Sequence, residues 1–99
     1  MNQMNQINSL IIEGDIDKDT ITTGSINNID FAKFCLRNKK YAKKNGKTVE
    51  EVTEVPIHCY GSMTENVSYY LDRFSKAKVI GVIKNNNGLY VLAEHIDFA

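Results

Sequence analysis

The stretch GSMTENVSYYLDRFSKAKVIGVI, Gly61–Ile83, is where the hydrophobic period of the chain changes. Its first half carries apolar side chains at the spacing of one helix face, namely Met63, Val67, Tyr70, Leu71 and Phe74. Ser62 and Glu65 have the spacing of an N-terminal capping box, so we predict one short helix over Ser62–Arg73. The KVIGVI that ends the stretch predicts a strand. One helix therefore interrupts a chain that is otherwise patterned as strands.

Strand patterns precede and follow this helix. Residues 10–16 alternate apolar and polar side chains, and Phe34–Lys44 and Thr48–Tyr60 flank Asn45-Gly46, a strong hairpin signal. The tetrad NNNG predicts a second tight turn, before LYVLAEHI. The apolar positions change parity near Ala32–Lys33, which predicts a bulge there. The order of three strands, a helix and two strands predicts an all-β fold with one short helix. We expect a five-stranded OB-fold barrel with the helix between strands 3 and 4.

The composition is that of one globular domain covering residues 1–99, with residues 1–6 as a loose N-terminus. Of its 99 residues, 42% are hydrophobic and 24% charged, and twelve cations balance twelve anions. No apolar run is long enough to span a membrane, and the N-terminus lacks the features of a secretory signal. We therefore expect a cytoplasmic, nucleoid-associated protein, with Cys35 and Cys59 as reduced thiols; a disulfide between them is the alternative.

The positive charge is concentrated in CLRNKKYAKKNGK, Cys35–Lys47, which holds six of the twelve basic side chains around Tyr41. Single-stranded nucleic acid is bound by cations along a groove together with flat side chains that stack on bases. The candidate nucleic-acid-binding residues are Lys33, Arg37, Lys39, Lys40, Tyr41, Lys43, Lys44, Lys47 and Tyr60. The alternative for the cations is a merely solubilising charge run, and for Tyr60 it is half-buried packing. We expect Tyr70 in the core, Tyr90 in core or groove, and His58 and His95 as ordinary strand residues.

Gly61–Ile83 resembles the corresponding stretch of bacterial single-stranded-DNA-binding proteins. The matching positions are Gly61, Glu65, Asn66, Tyr70, Leu71, Ser75, Lys76, Val79, Gly81 and Ile83. LIIEGDI, AKFCLRNKKY and VLAEHIDF are similar to the first, second and last strands of that family, so the resemblance covers about residues 7–98. It implies an OB-fold that binds single-stranded DNA without enzymatic activity, in replication, recombination or repair, as a homodimer or homotetramer. RNA is an alternative ligand.

The chain departs from that family in several places. Of the family's four stacking positions, Tyr41 and Tyr60 match two, Glu54 stands at the third, and the hairpin that carries the fourth is shortened to KNNNGLY. The chain ends at IDFA, so we do not expect tail-mediated recruitment of replication proteins. The related primosomal replication protein N also lacks that tail, and its last strand resembles NGLYVLAEHI. This relative implies an alternative function as a primosome-assembly or protein-interaction module.

The acidic stretch DIDKDTITTGSI, Asp15–Ile26, begins like a calcium-binding loop. It has Thr20 where such a loop needs glycine and Ile26 where it needs glutamate. A nuclease built on its aspartates would lack an accompanying general base or nucleophile. His58 and Cys59 are adjacent on a strand and so point to opposite faces. We therefore expect no catalytic residues, no metal site and no cofactor.

Overall fold

A computed structural model describes residues 3–99 as a closed barrel of five strands with one short helix. The elements are β1 (Leu10–Ile26), β2 (Ile29–Lys44), β3 (Lys47–Tyr60), a 3₁₀ turn (Gly61–Met63), α1 (Thr64–Leu71), β4 (Lys76–Asn85) and β5 (Leu89–Phe98). Around the barrel the order is β1-β2-β3-β5-β4, and every pair is antiparallel except β3 with β5. The predicted fold class is confirmed, including the helix between strands 3 and 4.

The core consists of alternate strand residues that point into the barrel. It contains Ile16, Ala32, Phe34, Leu36, Ile57, Cys59, Ala77, Val79, Val91 and Ala93 from the strands, with Val67 and Leu71 from α1. The helix thus adds its apolar face to the same core. Tyr70, which we expected in the core, is 40% exposed. Its ring lies outside the core against Phe74 and Phe98, with centroids 5.7 and 5.5 Å away.

The ends of α1 differ from the sequence prediction. Gly61, at φ +82°, leads into the 3₁₀ turn, and no side-chain hydrogen bond caps this turn or α1, so the predicted capping box is wrong. The helix ends at Leu71, two residues before the predicted end. Lys18 of β1 donates its Nζ to the carbonyl oxygens of Leu71 and Phe74. A cation at a helix C-terminus donates hydrogen bonds to the free carbonyl groups there and interacts favourably with the negative end of the helix dipole.

β1 continues well beyond residues 10–16, where the alternating pattern predicts a strand. It ends at Ile26, and Asn27 and Asn28 form the turn into β2 with φ of 51° and 64°. Asparagine tolerates these left-handed angles better than most residues, which suits a two-residue hairpin. The two predicted turns are confirmed, since Asn45 and Gly46 have φ of 53° and 75° and Asn86–Gly88 joins β4 to β5.

The irregular pairing in the first hairpin lies on β1, between Asp17 and Thr22. Our prediction of a bulge at Ala32–Lys33 is wrong, because β2 keeps one parity of buried residues and pairs with β3 without a shift. Farther along β1, a Cβ at Gly14 would lie 2.4 Å from the carbonyl oxygen of Arg37. Position 14 therefore needs glycine, because the backbone of β2 leaves no room there for a side chain on β1.

Candidate nucleic-acid interface

β2 and β3 extend beyond the barrel as a two-stranded arm, residues 38–53. β1 pairs with β2 only as far as Arg37, and β5 pairs with β3 only at Ile57 and His58. Seven successive cross-strand pairs, from Asn38↔Thr53 to Lys44↔Lys47, therefore have no further strand beside them in the described chain. At about 3.3 Å per residue, the arm is about 23 Å long. It carries most of the predicted binding residues into solvent.

Strand alternation sorts the predicted residues onto two faces of β2 and β3. The buried residues of β2 have even numbers, so its odd-numbered residues lie on the outer face. That outer face carries Lys33, Arg37, Lys39, Tyr41 and Lys43, and also Tyr60, because Tyr60 pairs with Phe31. Lys40, Lys44 and Lys47 lie on the opposite face, where Lys44 and Lys47 form the last pair before the turn. The structure thus brings six of the nine residues to one face.

Carboxylates from neighbouring strands partly neutralise the basic side chains. Arg37 Nε lies 3.2 Å from Glu54 Oε1, Lys39 Nζ lies 3.4 Å from Asp15 Oδ2, and Lys44 Nζ lies 3.2 Å from Glu51 Oε1. The other four predicted basic residues are Lys33, Lys40, Lys43 and Lys47. Within residues 3–99, no carboxylate lies within 4 Å of them. Exposed pairs of this kind stabilise a fold by about 0–1 kcal/mol. These pairs are weak, but a phosphate that binds Arg37, Lys39 or Lys44 must first displace a carboxylate.

Tyr41 lies in the middle of the arm and is 65% exposed. Its hydroxyl group is 3.4 Å from Glu50 Oε2, the residue directly across the hairpin. Lys39 and Lys43 stand two residues away on the same face of β2. A flat ring with a cation on each side is the combination that single-stranded nucleic acid requires.

A second group of rings lies on the barrel wall, and we call it the barrel patch: Phe31, Lys33, His58, Tyr60 and Tyr90. The imidazole of His58 stacks on Tyr90 with centroids 4.0 Å apart and planes 19° apart. Its Nδ1 is 3.2 Å from the Tyr60 hydroxyl group. Lys33 is directly across the β2–β3 ladder from His58, and its Nζ lies 5.1 Å from the centre of the Phe31 ring.

Sequence reasoning did not include His58 among the candidate residues and left Tyr90 undecided. The register of a two-residue hairpin at Asn45-Gly46 places Lys33 opposite His58, so counting back from that turn could have found this neighbour. Tyr90 comes from β5, which meets β3 in a short parallel pairing at Ile57 and His58. No local pattern in the sequence predicts that pairing.

The surroundings of His58 lower the pKa of its imidazole. Partial burial of the ring is the main cause of its lowered pKa, and the positive charge of Lys33 lowers it further. Both effects disfavour the charged imidazolium. The imidazole is therefore mostly neutral at pH 7.

The arm and the barrel patch are two separate contact areas on one continuous face. Tyr60 pairs with Phe31, which precedes Tyr41 by ten positions on β2. At about 3.3 Å per residue, Tyr41 and Tyr60 are therefore about 33 Å apart along the strand. One nucleotide cannot contact both rings, so a single strand that touches both must follow the length of β2.

Within residues 3–99, no group of three or more His, Cys, Asp or Glu side chains is arranged to hold a metal ion. Cys35 and Cys59 are free thiols, and Cys59 is fully buried. No helix in the same part of the chain is long and apolar enough to cross a membrane.

Comparison with known proteins identifies the fold. The chain is similar to the solved structure of the protein priB from Ralstonia solanacearum, with a TM-score of 0.68 and 12% sequence identity. The match covers 95% of this chain and 100% of that protein. No family model matches the chain, and no curated protein matches it in sequence. At this identity the likeness concerns architecture alone, and it agrees with the five-stranded barrel: the chain has the fold of priB.

Proposed function

We propose that this protein binds single-stranded DNA, largely without regard to sequence, as a non-enzymatic component of replication, recombination or repair in the cytoplasm. The observation that carries the proposal is the arm, where Tyr41 is exposed among cations, several of which have no carboxylate partner within residues 3–99. Lysine side chains bind phosphates alike at every nucleotide and so supply affinity without sequence preference. The tyrosine ring adds a preference for unpaired bases, because duplex DNA does not offer a base face.

The substitution Tyr41→Ala tests this proposal directly. Loss of one stacking ring should weaken binding of an oligo-dT by about 1–3 kcal/mol and leave binding of a duplex of equal length nearly unchanged. Fluorescence anisotropy with labelled DNA at one salt concentration measures both affinities. Tyr69→Ala is a matched control, since Tyr69 is similarly exposed but lies on α1 against Arg73. Equal losses for single strands and duplex would show that the arm is a generic basic surface.

A primosome-assembly or protein-interaction module is the second candidate, favoured by the architecture shared with priB. In such a module the arm would contact nucleic acid only weakly. Affinity for oligo-dT separates the two candidates, because we expect nanomolar dissociation constants for a dedicated DNA binder and micromolar ones for the module. A parallel titration with oligo-U determines whether RNA is also a ligand.

Self-association through β1 completes the proposal. Leu10–Gly14 pairs with β4 on one side, and the pairing with β2 starts only at Asp15. The other edge of Leu10–Ile12 thus has no strand beside it in the described chain, because β2 approaches β1 only from Glu13 and Gly14 onward. Ile11 in this segment is 68% exposed. An open strand edge of this kind favours pairing with a second copy. Light scattering should give the mass of a homodimer or homotetramer, and a mass of 11.2 kDa at micromolar concentration would contradict this.

A further inference from the structure

We propose that His58, which lies beside the predicted binding residues Lys33 and Tyr60 in the barrel patch, takes up a proton when a base stacks on Tyr60 and its phosphate lies between Lys33 and the imidazole. This inference rests on the proposed function, which it extends from the arm to the barrel wall. Its new element is His58, a residue that takes up a proton when the nucleic acid binds.

The geometry fixes His58 in a position to donate to an anion. Tyr90 covers one face of its imidazole, and the Tyr60 hydroxyl group engages Nδ1. Nε2 is the ring nitrogen that remains free to donate an N–H to a ligand. Lys33, directly across the ladder, has no carboxylate within 4 Å among the described residues. Two donors from adjacent strands therefore flank one position on the outer surface.

The ring of Tyr60 supplies the stacking surface beside these donors. It is 39% exposed and stands at 79° to the imidazole of His58. A base stacked parallel to Tyr60 therefore lies nearly perpendicular to the imidazole of His58. In the proposed complex the phosphate of the same nucleotide lies beside this base, within reach of His58 and Lys33.

The surroundings of His58 make its protonation depend on a ligand. The titratable groups that face it are Lys33 from β2, Tyr60 from its own strand and Tyr90 from β5, while Lys84 of β4 lies across from Tyr90. None of these is a carboxylate, so nothing in this set favours the imidazolium. The pKa is lowered by burial and by Lys33. A bound phosphate opposes the charge of Lys33 and favours the imidazolium, so it raises the pKa of His58.

The sign of the pH dependence follows from this proton uptake. Below the pKa of the free protein, which is under 6.5, His58 is protonated with or without ligand, so affinity is highest and constant there. Affinity then falls as pH rises to the pKa of the complex and is constant again above it. A shift of about one pKa unit corresponds to about a tenfold change in affinity across this window.

The experiment compares oligo-dT binding at pH values below, between and above the pKa values of His58 in the free and the bound protein, at constant salt, with an oligonucleotide of about 15–20 nucleotides that can reach both contact areas. Wild-type affinity should rise about tenfold from the highest to the lowest pH. The matched control His95→Gln should retain this rise, because His95 lies farther along β5 beside Asp97. His58→Gln should abolish it.

Nuclear magnetic resonance of the unmodified protein provides a measurement that needs no variant. The pKa of His58 should rise by about one unit on saturation with oligo-dT. A wild-type affinity that does not vary with pH, or a His58→Gln profile equal to wild type, would overturn the proposed proton uptake and leave the arm proposal standing. Absence of oligo-dT binding at every pH would overturn the proposed function itself, and the proton uptake with it.

Discussion

The double substitution Glu51→Gln with Glu54→Gln should strengthen the binding of single-stranded DNA and make it more sensitive to salt. Glu51 and Glu54 pair with Lys44 and Arg37 at 3.2 Å each. Four of the seven predicted basic residues have no carboxylate partner among residues 3–99. Each phosphate contact with a single strand contributes about −0.7 to the slope of log K against log salt, so four contacts predict a slope of about −2.8.

Removal of the two carboxylates changes this slope by a calculable amount. Lys44 is freed completely, which makes five contacts and a slope of about −3.5. Arg37 keeps Asp17 at 4.0 Å, so its release is at most partial. Release of both cations would give six contacts and a slope of about −4.2. The slope of the variant should therefore lie between about −3.5 and −4.2.

Anisotropy titrations of labelled oligo-dT over a series of salt concentrations measure the slope. Glu65→Gln with Glu94→Gln is the matched control, because it removes the same charge from exposed positions on α1 and β5. The control should keep the slope of about −2.8. If the arm variant and the control have equal slopes, the carboxylates do not compete with phosphate and the count of free cations is wrong. A wild-type slope near zero would refute the electrostatic argument altogether.

Three further predictions concern the barrel. Leu36→Ala, at a fully buried position, should lower the free energy of unfolding by about 2–5 kcal/mol; Val52→Ala on the arm should cost much less, and urea denaturation measures both. Cys35 should react with a thiol reagent before Cys59, because Cys59 is fully buried and burial raises its pKa; mass spectrometry of the labelled protein would contradict this if both react at one rate. The lowered pKa of His58 makes the unfolded chain bind more protons below pH 6.5, so stability should fall as pH falls through that range and fall less in His58→Gln.

The fold could be predicted because short local patterns in the sequence encode its helix and its main hairpin turn. The change of period after Gly61 locates α1, and Asn45-Gly46 determines the β2–β3 register. The Asn27-Asn28 turn was not predicted, because the alternating pattern of β1 is clear only over residues 10–16, although asparagine pairs also suit such turns. The predicted capping box at Ser62 is wrong because the chain enters the helix through a 3₁₀ turn, Gly61–Met63, in which Gly61 has a positive φ.

The candidate site was harder to predict because it depends on contacts between distant segments. The sequence shows that cations surround Tyr41, but the alternation of side chains along β2 decides which of them share its face. The partner of Lys39 is Asp15 of β1, and only the β1–β2 register brings the two together. The stack of His58 on Tyr90 requires barrel closure between β3 and β5, which no local sequence pattern encodes.

The arm and the barrel also differ in local stability. Its seven cross-strand pairs are the main support for residues 38–53, and a two-stranded hairpin on its own is marginally stable in water. It should fray and re-form while the barrel stays folded, so its amide hydrogens should exchange with solvent far faster than those of Leu36 or Ile57. A ligand that holds the arm must therefore also supply the free energy of ordering it, and slower amide exchange along the arm should accompany binding.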